Sequence, residues 1–152
     1  MSQRDEIFWD KAARKYAASP IADMAGLERT LARVREKLAP GHHVLELGCG
    51  TGTIALRLAD AVESYLATDI SAQMIAIAQE KLANPKIGHL KERLSFRQAT
   101  AGQLAAAQET AGVSVLAYRH FLGAFEQCRL DAGCGGSGPV ALTHLTLPTT
   151  AP

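Results

Sequence analysis

Val44-Leu45-Glu46-Leu47-Gly48-Cys49-Gly50-Thr51-Gly52-Thr53-Ile54-Ala55-Leu56 changes its period in mid-stretch. The apolar run from His43 to Leu47 reads as a buried parallel strand. Three glycines then stand at alternate positions, and beyond them Ile54, Ala55, Leu58 and Val62 share one helical face. The order is strand, glycine turn, helix. Without a Cβ, the turn can bend tightly and bring its backbone close to a ligand. The new helix aims its free N–H groups and positive dipole end at the same place. Such a turn makes a nucleotide or cofactor cradle at the carboxyl edge of a parallel sheet.

The spacing narrows the ligand. The dinucleotide fingerprint is G-x-G-x-x-G. Here Gly48, Gly50 and Gly52 give G-x-G-x-G, and Thr53 stands at the third glycine position. Glu46 lies two residues before the first glycine. Beside a pyrophosphate that carboxylate is repelled; beside a cationic group it is favoured. Ser64 to Asp69 reads as a second strand ending in an acid, nineteen residues beyond Gly50. An acid there can accept hydrogen bonds from both ribose hydroxyls. Plainer alternatives stand beside each reading. The glycines also suit an ordinary strand-to-helix turn or a dinucleotide site. Asp69 also suits a helix N-terminus near Ser71, and Glu46 a solvated or hydrogen-bonded strand-end acid. Cys49, between two glycines, reads as a small filler without redox or nucleophilic role.

Glu46-Leu47-Gly48-Cys49-Gly50-Thr51-Gly52, followed by Asp69-Ile70-Ser71, resembles the class I S-adenosylmethionine-dependent methyltransferases. The likeness is to small-molecule methyltransferase domains of the ubiquinone/menaquinone biosynthesis type, and it covers residues 4–104 well. The resemblance implies an α/β fold, a doubly wound, Rossmann-like parallel sheet of strand order 3-2-1-4-5. Two helices precede it, and the last edge strands are missing. It implies S-adenosyl-L-methionine as cofactor. Glu46 would take the methionine amino group, the turn through Gly48, Cys49 and Gly50 its carboxylate, and Asp69 the ribose. Ile70, Met74, Thr100 and Ala101 would frame the adenine. Tyr16, in the segment Phe8-Trp9-Asp10-Lys11-Ala12-Ala13-Arg14-Lys15-Tyr16, would reach the methionine end or else pack on the core with its hydroxyl wet. Met74 has core packing as its alternative.

Composition limits the rest. The 152 residues suggest one domain, and 47% apolar with 20% charged residues fit a globular protein. A net charge of +1 without a basic block gives no support for nucleic acid or an anionic membrane as partner. The charged start, Met1 to Glu6, does not read as a signal peptide, and no run is long enough to span a bilayer. Three scattered cysteines suggest a reducing, cytoplasmic setting, and Cys128 and Cys134 lack the histidines of a metal site.

In chain order, helices are expected over 4–18, with a stripe of Phe8, Trp9, Ala12 and Tyr16, and over 25–38, with Leu27, Leu31, Val34 and Leu38 inward. A helix over 51–61 should follow the glycine turn. Another over 71–83, capped by Ser71, should turn Met74, Ile75, Ala78 and Leu82 inward. Strand three is Leu94 to Ala99, strand four Val113 to Tyr118, and strand five Val140 to Leu147. The organisation is a single domain over 1–152, with cap helices in 1–40, the cofactor-binding half in 41–104 and a poorly matching part in 105–152.

Two departures from the family pattern stand out. An acid usually follows strand three and binds the adenine amino group; here Thr100 and Ala101 hold that place. Losing a charge-assisted bond would weaken cofactor binding by about 1 kcal/mol. Beyond residue 108 the family wording stops, and no residues remain for strands six and seven. This suggests a truncated or frame-altered C-terminal part, which the other two reading frames of the gene would test. After strand four come Tyr118, Arg119 and His120. His120 is a possible base or a surface imidazole, and no catalytic residue is assigned. The expected activity is methyl transfer to a small-molecule acceptor. Two alternatives are a cofactor-binding fragment without catalysis or truncated methyltransferase remnant, and a nicotinamide-dependent oxidoreductase, the latter disfavoured by the glycine spacing and Glu46.

Overall fold

The computed structural model describes residues 3–106 and 114–117. Helix α1 runs Gln3–Ala18 and α2 Met24–Arg35. Strand β1, His43–Leu47, is followed by a short α3, Ala55–Leu58, and a 3-10 turn, Ala59–Ala61. Then come β2 (Ser64–Asp69), α4 (Ala72–Leu82), a kinked 3-10 segment (Pro85–Glu92), β3 (Leu94–Gln98), α5 (Ala101–Ala106) and β4 (Ser114–Ala117). The strands are parallel and lie in the order β3-β2-β1-β4. This is the expected doubly wound α/β arrangement. The expected fifth strand, Val140 to Leu147, lies outside the described residues.

β1 is buried on both faces, so it reads as a nearly continuous apolar run. Val44 and Glu46 point to one face, where Leu27, Leu31 and Val34 of α2 meet Ile54, Leu58, Ile75 and Ala78. Leu45 and Leu47 point to the other and pack on Leu104 of α5. A one-residue slip of β1 would move Glu46 to the opposite face, so its register is strongly specified.

Three expectations need correction. The helix after the glycine turn begins at Ala55, not at residue 51, because Gly52 sits at φ 77° and cannot continue a right-handed helix. The contact face of α1 is also rotated from the Phe8-Trp9-Ala12-Tyr16 stripe. Ala13 is the buried residue, Trp9 is half-buried, and Phe8 and Tyr16 stay 62% and 47% exposed. The cause is the docking of α1 on α4. Small Ala13 seats against Met74 and Ile77, and Arg14 makes a two-pronged bond to Glu80. Helix α2 ends at Arg35, earlier than expected, with Leu38 still packed on the core.

Candidate cofactor site

The residues singled out by spacing converge at the carboxyl ends of β1, β2 and β3. β1 leads to β2 on one side while β4 lies on its other side, which is the switch point where doubly wound sheets open a crevice. The turn after β1 is held by its own backbone. Gly48 N–H and Cys49 N–H both donate to the Thr68 carbonyl, at 2.8 and 2.9 Å, and Thr68 Oγ1 donates to the Glu46 carbonyl at 2.8 Å. Gly48, Gly50 and Gly52 have φ of 74°, 55° and 77°, a region that L side chains adopt only with strain.

The glycines do different work. A Cβ on Gly52 would lie 2.7 Å from Cε1 and Cζ of Phe96 and 3.0 Å from Ala78 Cβ, so this glycine lets the turn pack on β3 and α4. A Cβ on Gly50 would meet only Tyr16 Cε1, at 3.9 Å. Gly50 therefore sits at the open side of the turn, with Tyr16 beside it. Tyr16 in turn meets Trp9 edge-on, at 6.3 Å between ring centroids. From behind, Lys81 Nζ of α4 donates to the Thr51 carbonyl at 3.0 Å and to Thr51 Oγ1 at 2.8 Å. Burial lowers the pKa of this lysine.

Both acids are in place. Glu46 is fully buried and accepts the Tyr65 phenol O–H on Oε2 at 3.0 Å. Asp69 accepts Gly50 N–H on Oδ2 and Ser71 N–H on Oδ1, each at 2.9 Å. It thereby ties the glycine turn to the start of α4. Its pKa is raised, first by desolvation and then, in part, by the Asp10 charge, while the backbone N–H groups pull it back. Cys49 is buried, and burial followed by the charges of Glu46 and Asp69 pushes its thiol far up. It stays a neutral thiol, as the filler reading requires.

Sequence spacing missed Asp10. Its Oδ1 accepts Ser71 Oγ–H at 2.5 Å and Gln73 N–H at 3.2 Å. Ser71 Oγ in turn accepts Met74 N–H at 3.1 Å. The first-turn donors of α4 are thus met by Asp69, Asp10 and Ser71 together. No local pattern links residue 10 to residue 71, so only docking of α1 reveals the pair. The dipole expectation shifts as well. With four residues, α3 has little macrodipole, and the cradle rests on the turn itself.

Just beyond the carboxyl end of β3, Thr100 opens α5 in a reciprocal cap. Its N–H donates to Gln103 Oε1 at 2.9 Å, and Gln103 N–H donates to Thr100 Oγ1 at 3.2 Å. Ala101 is the first residue of α5, where a helix leaves N–H groups without an intrahelical acceptor. Ala99 N–H donates to the Asp69 carbonyl at 3.0 Å, which brings this corner to the end of β2. Ile70 is buried there, its carbonyl accepting Gln98 Nε2–H at 2.9 Å. Met74 is 2% exposed and packs with Ala13 and Ile77 between α1 and α4, which is its core alternative. Tyr118, Arg119 and His120 lie outside the described residues. No group of three or more metal-ligating side chains occurs among the described residues.

The methyltransferase-domain family matches residues 44–128, more than half of the chain. A demethylmenaquinone methyltransferase of Parafrankia sp. (strain EAN1pec) is 35% identical over 79 residues, 50% of this chain and 31% of that protein. A ribosomal protein L11 methyltransferase of Rhodopseudomonas palustris (strain BisB5) is 40% identical over 57 residues, 37% of this chain and 19% of that protein. The chain thus corresponds to about a third or less of the length of these relatives. Among solved structures, the DhpI–SAH complex superposes with TM-score 0.57 at 25% identity, covering 83% of this chain and 60% of that one. Magnesium protoporphyrin IX methyltransferase from Synechocystis PCC 6803 with bound SAH superposes with TM-score 0.56 at 19% identity, covering 75% and 56%, a likeness of fold. The match begins in β1 and takes in the glycine turn and both acid-bearing strand ends up to the far side of α5, so the chain belongs to the methyltransferase-domain family, in its class I, S-adenosylmethionine-dependent form.

Proposed function

We propose that the chain binds S-adenosyl-L-methionine and directs its methyl group to a small-molecule acceptor. One observation carries the reading: a turn with three glycines at positive φ, set between a fully buried acid and a second acid bonded to the turn. The donor set suits this cofactor. A carboxylate withdrawn from water, as Glu46 is, favours an ammonium group. The open side of the turn at Gly50, with Gly48 and Cys49, admits a carboxylate close to backbone. Asp69 accepts the Gly50 and Ser71 N–H groups, the Ile70 N–H also bonds it, and a carboxylate offers about four acceptor sites, which leaves room for a ribose hydroxyl. Ile70, Thr100 and Ala101 stand at the adenine end, with Met74 packed behind them, and Tyr16 at the methionine end.

When bound, the cofactor supplies a methyl group already activated by its sulfonium. The chain's own task is to hold and orient it and to keep water from the reacting end. Glu46 and Asp69 fix two separate points, which sets the ligand's direction along the strand ends. A base is needed only for a protonated acceptor.

A small-molecule acceptor is supported by the demethylmenaquinone methyltransferase relative. The ribosomal-protein relative shares 57 residues, too few to carry over its acceptor. A net charge of +1 gives nucleic acid no electrostatic foothold. Among the described residues no helix is long and apolar enough to cross a membrane. We assign the chain to the cytoplasm on its cysteine usage. We also read it as one domain, with cap helices in 1–40 and the cofactor half in 41–104.

Isothermal titration with S-adenosylhomocysteine tests the proposal, beside an Asp69→Ala control. Micromolar binding that the control loses supports it. A folded chain that binds nothing refutes it. Turnover with a panel of acceptors then separates catalysis from binding alone.

A further inference from the structure

Tyr65 lies near the start of β2, deep in the core, and its phenol donates to Glu46 Oε2 at 3.0 Å. β1 and β2 pair with Val44 opposite Tyr65 and Glu46 opposite Ala67. Tyr65 and Glu46 are therefore diagonal neighbours on one face of adjacent strands, within reach of long side chains. Both are cut off from water, at 1% and 0% exposure. An aliphatic residue at 65 would fill the same layer, among Val44, Ala67 and Ile75. What the phenol adds is a donor on the carboxylate.

A carboxylate with no solvent shell is unfavourable unless its lone pairs are met, and its plane is set by whatever meets them. We infer that Tyr65 is a positioning residue: its hydroxyl fixes the rotation of the Glu46 carboxylate so that it receives the ammonium of an amino-acid-bearing cofactor. The inference rests on the cofactor reading above and adds Tyr65 to it. Burial, and then the charge of Glu46, raise the phenol's pKa well above the ordinary tyrosine value, so it remains a donor at neutral pH.

The test uses two ligands and the full chain. S-adenosylhomocysteine carries the amino-acid end; 5′-methylthioadenosine has the same adenosine and a thioether but no ammonium. Tyr65→Phe keeps the ring and removes one oxygen. The expected result is a roughly 5- to 20-fold weaker affinity for S-adenosylhomocysteine, the size of one lost hydrogen bond, with 5′-methylthioadenosine unchanged within about 2-fold. In a Glu46→Gln background, which should itself lose selectivity for the ammonium, Tyr65→Phe should add little further loss. A merely structural role for Tyr65 would weaken both ligands alike or neither, and either result overturns the inference. If the variant is too unstable at the assay temperature, trimethylamine N-oxide, which favours the compact state, keeps it folded through the titration. Wild-type chain that binds neither ligand overturns the cofactor reading and this inference together. Wild-type binding without selective loss overturns only the role of Tyr65.

Discussion

Gly50 and Gly52 look equivalent in a G-x-G-x-G turn, yet the structure predicts unequal consequences of adding one methyl group. Both have positive φ, 55° and 77°, so alanine at either forces a left-handed conformation on an L residue, about 1–2 kcal/mol. At Gly50 that is nearly the whole effect, because the new Cβ meets only Tyr16 Cε1 at 3.9 Å. At Gly52 the Cβ would sit 2.7 Å from the end of the Phe96 ring, with Ala78 Cβ at 3.0 Å on another side. Phe96 and Ala78 are both buried, so neither can simply swing into water. Overpacking of this kind adds about 1–3 kcal/mol. Gly52→Ala should therefore lose about 2–5 kcal/mol and Gly50→Ala about 1–2 kcal/mol. For a chain of this length that means Tm falls of roughly 6–15 °C and 3–6 °C. Thermal unfolding followed by far-ultraviolet circular dichroism, with a guanidinium titration for the free energies, measures both. Ligand affinity should rank the other way per unit of lost stability. Gly50→Ala narrows the open side of the turn and should weaken S-adenosylhomocysteine by at least 10-fold while the protein stays folded. Equal losses of stability at the two positions would refute the division of roles. So would a Gly50→Ala protein that binds normally.

Asp69 sets stability and binding against each other with pH. Its folded pKa is raised above the unfolded 3.8, so its contribution to stability is fully present below that value and is lost as pH rises through the folded pKa. A ribose diol is best accepted by the ionised form, so S-adenosylhomocysteine affinity should rise over that same window and flatten in Asp69→Asn; parallel urea and titration series across the acid range check both slopes. Asp10→Ala removes the acceptor shared by Ser71 Oγ and Gln73 N–H and should destabilise the protein by about 1–2 kcal/mol, as loss of a helix cap does. Amide exchange in α1 should rise with it, and unchanged exchange there would show that α1 is held by other contacts. Thr100→Asp keeps a good N-cap for α5 and supplies the acid that the family resemblance leads one to expect at this place. Its affinity for S-adenosylhomocysteine should tighten by up to about 10-fold, one charge-assisted bond, and titration calorimetry would show a loss instead if the adenine lies elsewhere.

The amino-acid sequence alone determined the order of elements and the place of the glycine turn between its two acids. β1 and β2 run as read, His43–Leu47 and Ser64–Asp69, because strand patterning, glycine breaks and the acid at the strand end are all local signals. Ser71 caps α4 as its position foretold, since a cap reads only the next three residues. Tertiary structure decided what local signals cannot carry. The face that α1 presents depends on Ala13 fitting against Met74 and Ile77, a contact across more than sixty residues, so the aromatic stripe misled. Asp10 joined the α4 N-terminus, and Tyr65 reached Glu46, only because packing brought distant residues within hydrogen-bond reach. The three glycines form one pattern in the chain, yet Gly52 answers to Phe96 and Ala78 while Gly50 faces open space beside Tyr16. Period and spacing are properties of neighbours along the chain; which atoms fill the space next to a residue is a property of the whole fold.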